Sequence, residues 1–210
     1  MLFNGARVML IFIEPRLVLL SVPKTGTTAL ETALAPRAEI AFRARPEIKH
    51  LNLRQYRNRI LPLLAPLGPR PFRTVAVIRE PLDWLASWYR FRARDERIGH
   101  PNSTARVSFQ RFVEDYLTPG PRPPYARLGR QSDFLTDPQG RVAVDHVFRY
   151  EAMGALLEFL SRRLGTEIRP GRENVSPPAE TGLDPATQAR LREALATDYA
   201  IWQQALQEAP

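Results

Sequence analysis

Cysteine is absent from this 210-residue chain, which excludes disulfides and cysteine-ligated metal. Lysine is nearly absent: of 30 basic side chains only Lys24 and Lys49 are lysines, and the rest are arginines. Histidine occurs three times, as His50, His100 and His146. Long hydrophobic runs are missing too. Val8 to Ile13 is apolar but is broken by Glu14-Pro15-Arg16 before Leu17 to Val22. Those segments are too short and interrupted for a membrane span or the core of a signal peptide, and they read as two neighbouring strands. No repeat or low-complexity linker divides the chain, so a single domain over residues 1–210 is expected, long enough to bury most of its unfolded surface.

What is present is unevenly spread positive charge. The net charge is +8, but residues 37–130 carry 19 basic and 8 acidic side chains whereas residues 131–210 carry 8 and 12. Such a field favours a polyanionic ligand by attraction and association rate. Nucleic acid would be attracted in the same way, yet no recognised nucleic-acid module or aromatic stacking pattern accompanies the arginines. Nucleic acid is therefore not expected as a partner.

One of the two lysines sits in a strand-to-helix passage. Leu17 to Val22 reads as a buried strand, Pro23-Lys24-Thr25-Gly26 as a turn, and Thr27 to Leu34 as a helix stopped by Pro36. A compact ammonium can approach one bridging oxygen, whereas a guanidinium clamps two. Retention of lysine in an arginine-rich chain thus points to chemistry at Lys24. The turn aims backbone N–H groups and a helix N-terminus at an anion. It is neither a Walker loop, whose lysine follows a second glycine, nor a dinucleotide fingerprint, which needs three spaced glycines.

A second passage of this kind follows. Arg73-Thr74-Val75-Ala76-Val77-Ile78 reads as a strand, and Arg79-Glu80-Pro81-Leu82-Asp83-Trp84-Leu85-Ala86-Ser87 leads into a helix with Pro81 in its first turn. Arg79 at the strand end and Ser87 two helical turns on suit a dianionic phosphate. Together, Pro23-Lys24-Thr25-Gly26-Thr27-Thr28 and Arg79-x-Pro81 with Ser87 resemble the 5′-phosphosulfate loop and the 3′-phosphate motif of sulfotransferases. The enzymes of that family use 3′-phosphoadenosine 5′-phosphosulfate (PAPS).

The remaining matches run in chain order and resemble the carbohydrate-type branch and its bacterial relatives: Lys49-His50 ahead of a short helix, Gln131-Ser132-Asp133-Phe134-Leu135, Val144 to Glu151, and Asn174-Val175-Ser176. Arg172 stands where that branch commonly has histidine. The resemblance implies an α/β, P-loop-like three-layer fold with a central parallel sheet flanked by helices. It implies that Lys24, Thr25, Gly26, Thr27, Thr28, Arg79, Ser87, Asn174 and Ser176 hold the donor, with Lys24 catalytic and no metal needed. It also implies His50 as the general base, since related enzymes of that branch carry a histidine base in this segment, and histidine exchanges protons near neutral pH. His146, in a late strand, is expected to be a core or edge residue. The acceptor is expected to be a hydroxyl of a glycan or glycolipid. A small-metabolite acceptor and a nucleotide- or nucleic-acid-binding protein without transfer activity are the alternatives. Lacking the N-terminal anchor of the animal enzymes, the chain is expected to be cytoplasmic.

The punctuation predicts further elements. Residues 52–64 read as a helix with Leu53, Tyr56, Ile60 and Leu64 on one face, ended by Pro66, Gly68 and Pro69. A helix over 82–94 is followed by a polar, irregular stretch over 95–107 and a short helix over 108–117. Residues 141–149 are strand-like, residues 151–164 form a helix capped by Gly165, and Asp184-Pro185 opens a long final helix. Residues 95–130, rich in arginine, are expected to cover the acceptor side.

Overall fold

The computed structural model describes residues 9–42, 50–171 and 180–210. The chain is an α/β protein built on a five-stranded mixed sheet. Its strands are β1 (Met9–Phe12), β2 (Leu17–Leu19), β3 (Ile40–Phe42), β4 (Arg73–Ile78) and β5 (His146–Arg149), in the spatial order β3-β1-β2-β4-β5. The pairs β2/β4 and β4/β5 are parallel, as expected, but β1 is antiparallel to both of its neighbours, so the sheet is not wholly parallel. The cause lies in the connection. Only Ile13 to Arg16 separate β1 from β2, with Arg16 N–H bonded to the Ile13 carbonyl at 3.2 Å, and a link this short closes a hairpin but cannot make a crossover.

Helices cover both faces. α1 (Thr27–Leu34) and α6 (Met153–Leu164) bury Leu30, Leu34, Leu156, Phe159 and Leu160 against Leu10, Phe12, Leu19, Val75 and Val77. The opposite face presents Met9, Ile11, Val18, Leu20, Ala76 and Ile78 to α2, residues 53–64, and to Ile201 of α8 (Ala196–Gln204). Successive strand residues alternate between the two clusters, as the two-residue period of a strand requires. A third cluster joins α3 (Pro81–Arg92), α4 (Phe109–Leu117) and α7 (Pro185–Ala194) around Trp84, Leu85, Phe112, Val113 and Leu191. The short α5 (Ser132–Leu135) precedes β5.

The sequence pattern of α2 is realised with a modification. Leu53, Tyr56, Ile60 and Leu64 are all buried, but Tyr56–Ile60 is a π segment between α turns Leu53–Gln55 and Leu61–Leu64. Pro62 has no N–H to return to the preceding turn, and the ladder widens just before it. The last helix is two, because the backbone turns at Leu195. Beyond α8, Leu206 N–H bonds the Val147 carbonyl at 2.8 Å and its own carbonyl accepts from Arg149 N–H at 3.0 Å, pairing Leu206 beside β5. No helix among the described residues is long and apolar enough to cross a membrane.

Asp145 ties the start of β5 to β4. Its carboxylate accepts from Thr74 N–H at 2.8 Å, Thr74 Oγ1 at 2.7 Å and Arg73 Nη1 at 2.8 Å. Burial pushes its pKa up, but these hydrogen bonds and the arginine charge outweigh burial and leave it below the ordinary carboxylate value of 3.8. A depressed folded-state pKa contributes stability that is complete above the unfolded value and lost as pH falls through the folded one. Asp145→Ala is therefore expected to cost about 2 kcal/mol near neutral pH and to flatten the fall in stability below pH 4. Urea denaturation from pH 7 to pH 2 measures both; equal acid slopes for variant and wild type would remove Asp145 from that role.

Candidate functional site

Because β2, β4 and β5 run parallel side by side, their C-terminal ends open onto one edge of the sheet, where crevices of α/β sheets bind ligands. Three segments meet there: the turn after β2, Arg79 after β4, and Tyr150 after β5.

The turn is built by taking up its own carbonyls. Thr25, fully buried, donates from Oγ1 to the Val22 carbonyl at 2.8 Å; Trp84 Nε1 of α3 donates to the Pro23 carbonyl at 2.8 Å; Arg79 Nη1 donates to the Lys24 carbonyl at 3.3 Å. Lys24 is left-handed at φ 69° and Gly26 at φ 75°. A left-handed lysine costs about 1–2 kcal/mol, and the three donors hold it there. Gly26 is the N-cap of α1 and supplies no side-chain cap, while the first turn of α1 carries no acidic residue. Gly26 therefore gives the leading amides of α1 no side-chain acceptor, and a helix start of this kind suits an anion.

Arg79 is placed from several sides. Its side chain is 13% exposed; Nε donates to Asp83 Oδ2 at 2.6 Å and the guanidinium lies 4.3 Å from the Tyr150 ring centre. Its backbone is fixed by Gln131, which accepts from Arg79 N–H at 3.0 Å and donates to the Arg79 carbonyl at 2.8 Å. Gln131 is anchored in turn by buried Asp198, which accepts from Gln131 N–H at 2.8 Å and from Ser132 Oγ at 2.9 Å. Asp83 also pairs with Arg90 at 3.3 Å. With Nε and one Nη1 hydrogen used, Arg79 keeps Nη2 to offer an anion.

On α3, Trp84, Ser87, Trp88 and Phe91 follow the three- and four-residue spacing of one helical face. Trp84 touches the turn by its hydrogen bond, and Lys24 Nζ lies 4.3 Å from the Phe91 ring centre and 5.9 Å from that of Trp88. Ser87, buried, lies between these contacts on the same face. His50 reaches the same sheet edge: its Nδ1 lies 3.0 Å from the Ser21 carbonyl. A carbonyl can only accept, so Nδ1 carries the proton and the neutral ring has its lone pair on Nε2. Asn52 and Gln55, just beyond, close a capping box at the start of α2.

The structure thus brings together Lys24, Thr25, Gly26, Thr27, Thr28, Arg79 and Ser87, with His50 bonded to the strand end that feeds the turn. Lys49, Asn174 and Ser176 lie outside the described residues. His100 accepts from Asn102 N–H at 3.1 Å in an exposed loop. The His146 ring lies tilted against Phe159, centre to centre 4.8 Å, and burial lowers its pKa, as befits a packed strand histidine. Sequence reasoning assigned no site role to Trp84, Phe91, Tyr150 or Gln131. For Trp84 and Phe91 a signal existed in the helical spacing to Ser87; Tyr150 and Gln131 come from distant segments, and only the parallel topology brings them in. Compared with protein-family models, curated proteins and solved structures, the chain matches none.

Gly26 is the position least able to change. A Cβ there would meet Met153 Cε and Tyr150 Cε2, each at 3.2 Å, in addition to the positive φ. Gly26→Ala is expected to cost about 2–4 kcal/mol. Gly99→Ala, at φ 84° with nothing within 4 Å, isolates the backbone part at about 1 kcal/mol. Chemical denaturation of both variants gives the comparison, and equal losses would mean that Met153 and Tyr150 simply give way.

Proposed function

We propose that this protein is a PAPS-dependent sulfotransferase with a P-loop-like donor site, transferring a sulfuryl group to an acceptor hydroxyl of a glycan or glycolipid. The observation that carries the reading is the hydrogen bond from Arg79 to the Lys24 carbonyl, which joins two motifs 55 residues apart at one point. A turn with a lysine leading into a helix N-terminus at one end, with an arginine and a buried serine at the other, suits a nucleotide bearing phosphates at both its 5′ and 3′ positions.

In this reading the amides from Thr25 to Thr28 bind the 5′-phosphate, and Arg79 with Ser87 bind the 3′-phosphate. Lys24 places its ammonium on the oxygen bridging phosphorus and sulfur. As that S–O bond breaks, the electron pair stays on the phosphate oxygen beside Lys24, and 3′-phosphoadenosine 5′-phosphate (PAP) leaves. The acceptor oxygen forms the new bond to sulfur from the opposite side while its proton passes to Nε2 of His50. As in phosphoryl transfer, catalysis rests on in-line positioning and charge stabilisation. The Ser21 carbonyl, accepting from Nδ1, holds the tautomer this step requires.

Donor recognition is tested first by calorimetry. The protein is expected to bind PAP at least about 10-fold more tightly than 5′-AMP, the worth of one charge-assisted contact. Ser87→Ala and Arg79→Ala should progressively erase the difference. Equal affinities in the wild type would remove the basis of the 3′-phosphate assignment.

Turnover separates the two proposed catalytic groups. Lys24→Arg keeps the charge and is expected to retain PAP binding while kcat falls about 100-fold or more. His50→Ala should leave PAP affinity unchanged and lower kcat about 100- to 10,000-fold, with His100→Ala near wild type. Wild-type kcat in His50→Ala, at saturating donor and acceptor, would place the base elsewhere.

A further inference from the structure

The outer side of α2 carries leucines where a solvated helix carries polar residues. Among the described residues the large hydrophobic side chains left exposed are Leu61, Leu63, Leu67, Ile98 and Val142, and the first three fall within one short stretch. Leu63 is 71% exposed, although its neighbour Leu64 is buried in the core. Single exposed leucines are ordinary, but a group of them on one element marks a surface that meets something apolar. Arginines frame the group. Arg57 precedes Leu61, and Arg59 precedes Leu63, at the four-residue spacing that keeps each pair on one side of a helix. Arg54 and Arg70, both exposed, stand before and after. Arg57 Nη2 donates to the Ala143 carbonyl at 2.9 Å, which brings Val142 to the same border.

The charge here is of one sign. No acidic residue occurs between His50 and Arg79. Arg54, Arg57, Arg59 and Arg70 enter no salt bridge among the described residues. Asp145, whose charge reaches Tyr56 of α2, is already held by Arg73 and Thr74. Exposed Glu14 meets Arg70 only through its backbone carbonyl.

The backbone around the leucines has had several polar groups removed or engaged. Pro62, Pro66, Pro69 and Pro71 have no N–H. The Leu67 carbonyl accepts from Arg16 Nη2, the Glu14 carbonyl from Arg70 Nη2 and the Ala143 carbonyl from Arg57 Nη2. Each group so treated is one less to strip of water when the surface is covered. The bonds to Glu14 and Arg16 also locate the patch. Its far end sits at the turn that starts β2, whereas the candidate site opens at the C-terminal ends of the parallel strands.

We propose that the outer side of α2 and the loop that follows it dock this protein on an anionic lipid surface. Leu61, Leu63 and Leu67 enter the boundary between headgroups and acyl chains, and Arg54, Arg57, Arg59 and Arg70 lie against the headgroups. Basic side chains around apolar ones are the composition of an interfacial helix, and an anionic leaflet complements both parts. Other occupants complement only one. Nucleic acid takes the arginines but leaves the leucines in water. A second copy related by a two-fold axis covers the leucines but sets the arginines of the two copies against one another. Docking at this end leaves the donor edge uncovered, so the proposal stands or falls apart from the sulfotransferase reading.

The test is co-sedimentation with vesicles of phosphatidylcholine alone and of phosphatidylcholine mixed equally with phosphatidylglycerol. Affinity for the mixed vesicles is expected to exceed that for the neutral ones at least about 10-fold, and raising NaCl from about 0.1 M to about 1 M should remove most of the difference. The double variant Leu63→Ser, Leu67→Ser is expected to bind mixed vesicles about 10-fold more weakly or worse, and Arg54→Gln, Arg59→Gln about 10-fold more weakly. All four side chains are exposed, so Tm and PAP affinity should stay at their wild-type values. Because the chain has no cysteine, a nitrobenzoxadiazole label on Leu63→Cys reports insertion. Its fluorescence should rise on mixed vesicles, while the same label on Ile98→Cys, equally open to solvent but beyond α3, should not change. Failure to bind mixed vesicles, equal binding to both kinds, or full binding by the leucine variant would each overturn the proposal. So would a dimer that the leucine variant dissolves, or duplex DNA bound more tightly than mixed vesicles. Absence of PAP binding by the wild type would remove the sulfotransferase reading and leave this proposal in place.

Discussion

The backbone of Lys24 is the constraint on which the rest of the site depends. A lysine held at positive φ is unfavourable by itself, and it persists because the consecutive carbonyls of Val22, Pro23 and Lys24 are taken up by the hydroxyl of its neighbour Thr25, an indole from α3 and a guanidinium from the end of β4. With these carbonyls engaged, the turn is held in the shape from which α1 starts. The same hydrogen bonds fix the distance between the loop and the arginine. Positioning of charge and folding of the loop are therefore one event, and loss of any of the three donors releases both.

Support for the loop is layered. Gln131 fixes the Arg79 backbone, and Asp198 fixes Gln131 and Ser132 from α8. Asp198 is buried, and desolvation raises its pKa against the hydrogen bonds that lower it. A buried carboxylate is tolerated here because three donors meet it. The chain of contacts runs from α8 through Gln131 and Arg79 to the Lys24 carbonyl.

Much of this was legible in the sequence, and the parts that were not have a common cause. The β2 and β4 runs, the Pro81 helix start, the Asp184-Pro185 start and the Gly165 end are local signals, and each falls where the residues placed it. β3 was not foreseen, since its apolar run, Ile40–Phe42, is only three residues long and half-buried. The orientation of β1 follows from the length of one turn, which the run Glu14-Pro15-Arg16 already contained. The π segment in α2 needed Pro62 to be weighed against an otherwise helical period. At the site, Lys24, Arg79 and Ser87 stood out by residue type and spacing. The places of Tyr150 and Gln131 are products of tertiary packing, for which no window of sequence carries a sign.

Leu206 gives the outer strand a companion. A bare β5 would offer its Val147 carbonyl and Arg149 amide to any extended chain in solution, and pairing of that sort is how sheets recruit foreign strands. One residue of the stretch after α8 occupies both groups, and Arg149 adds side-chain bonds to the Trp202 and Gln203 carbonyls at 2.8 and 2.6 Å. The stretch thus works as a selvedge: it finishes the margin of the fabric nearest the site, so that self-association through this border would first require the closing residues to peel away.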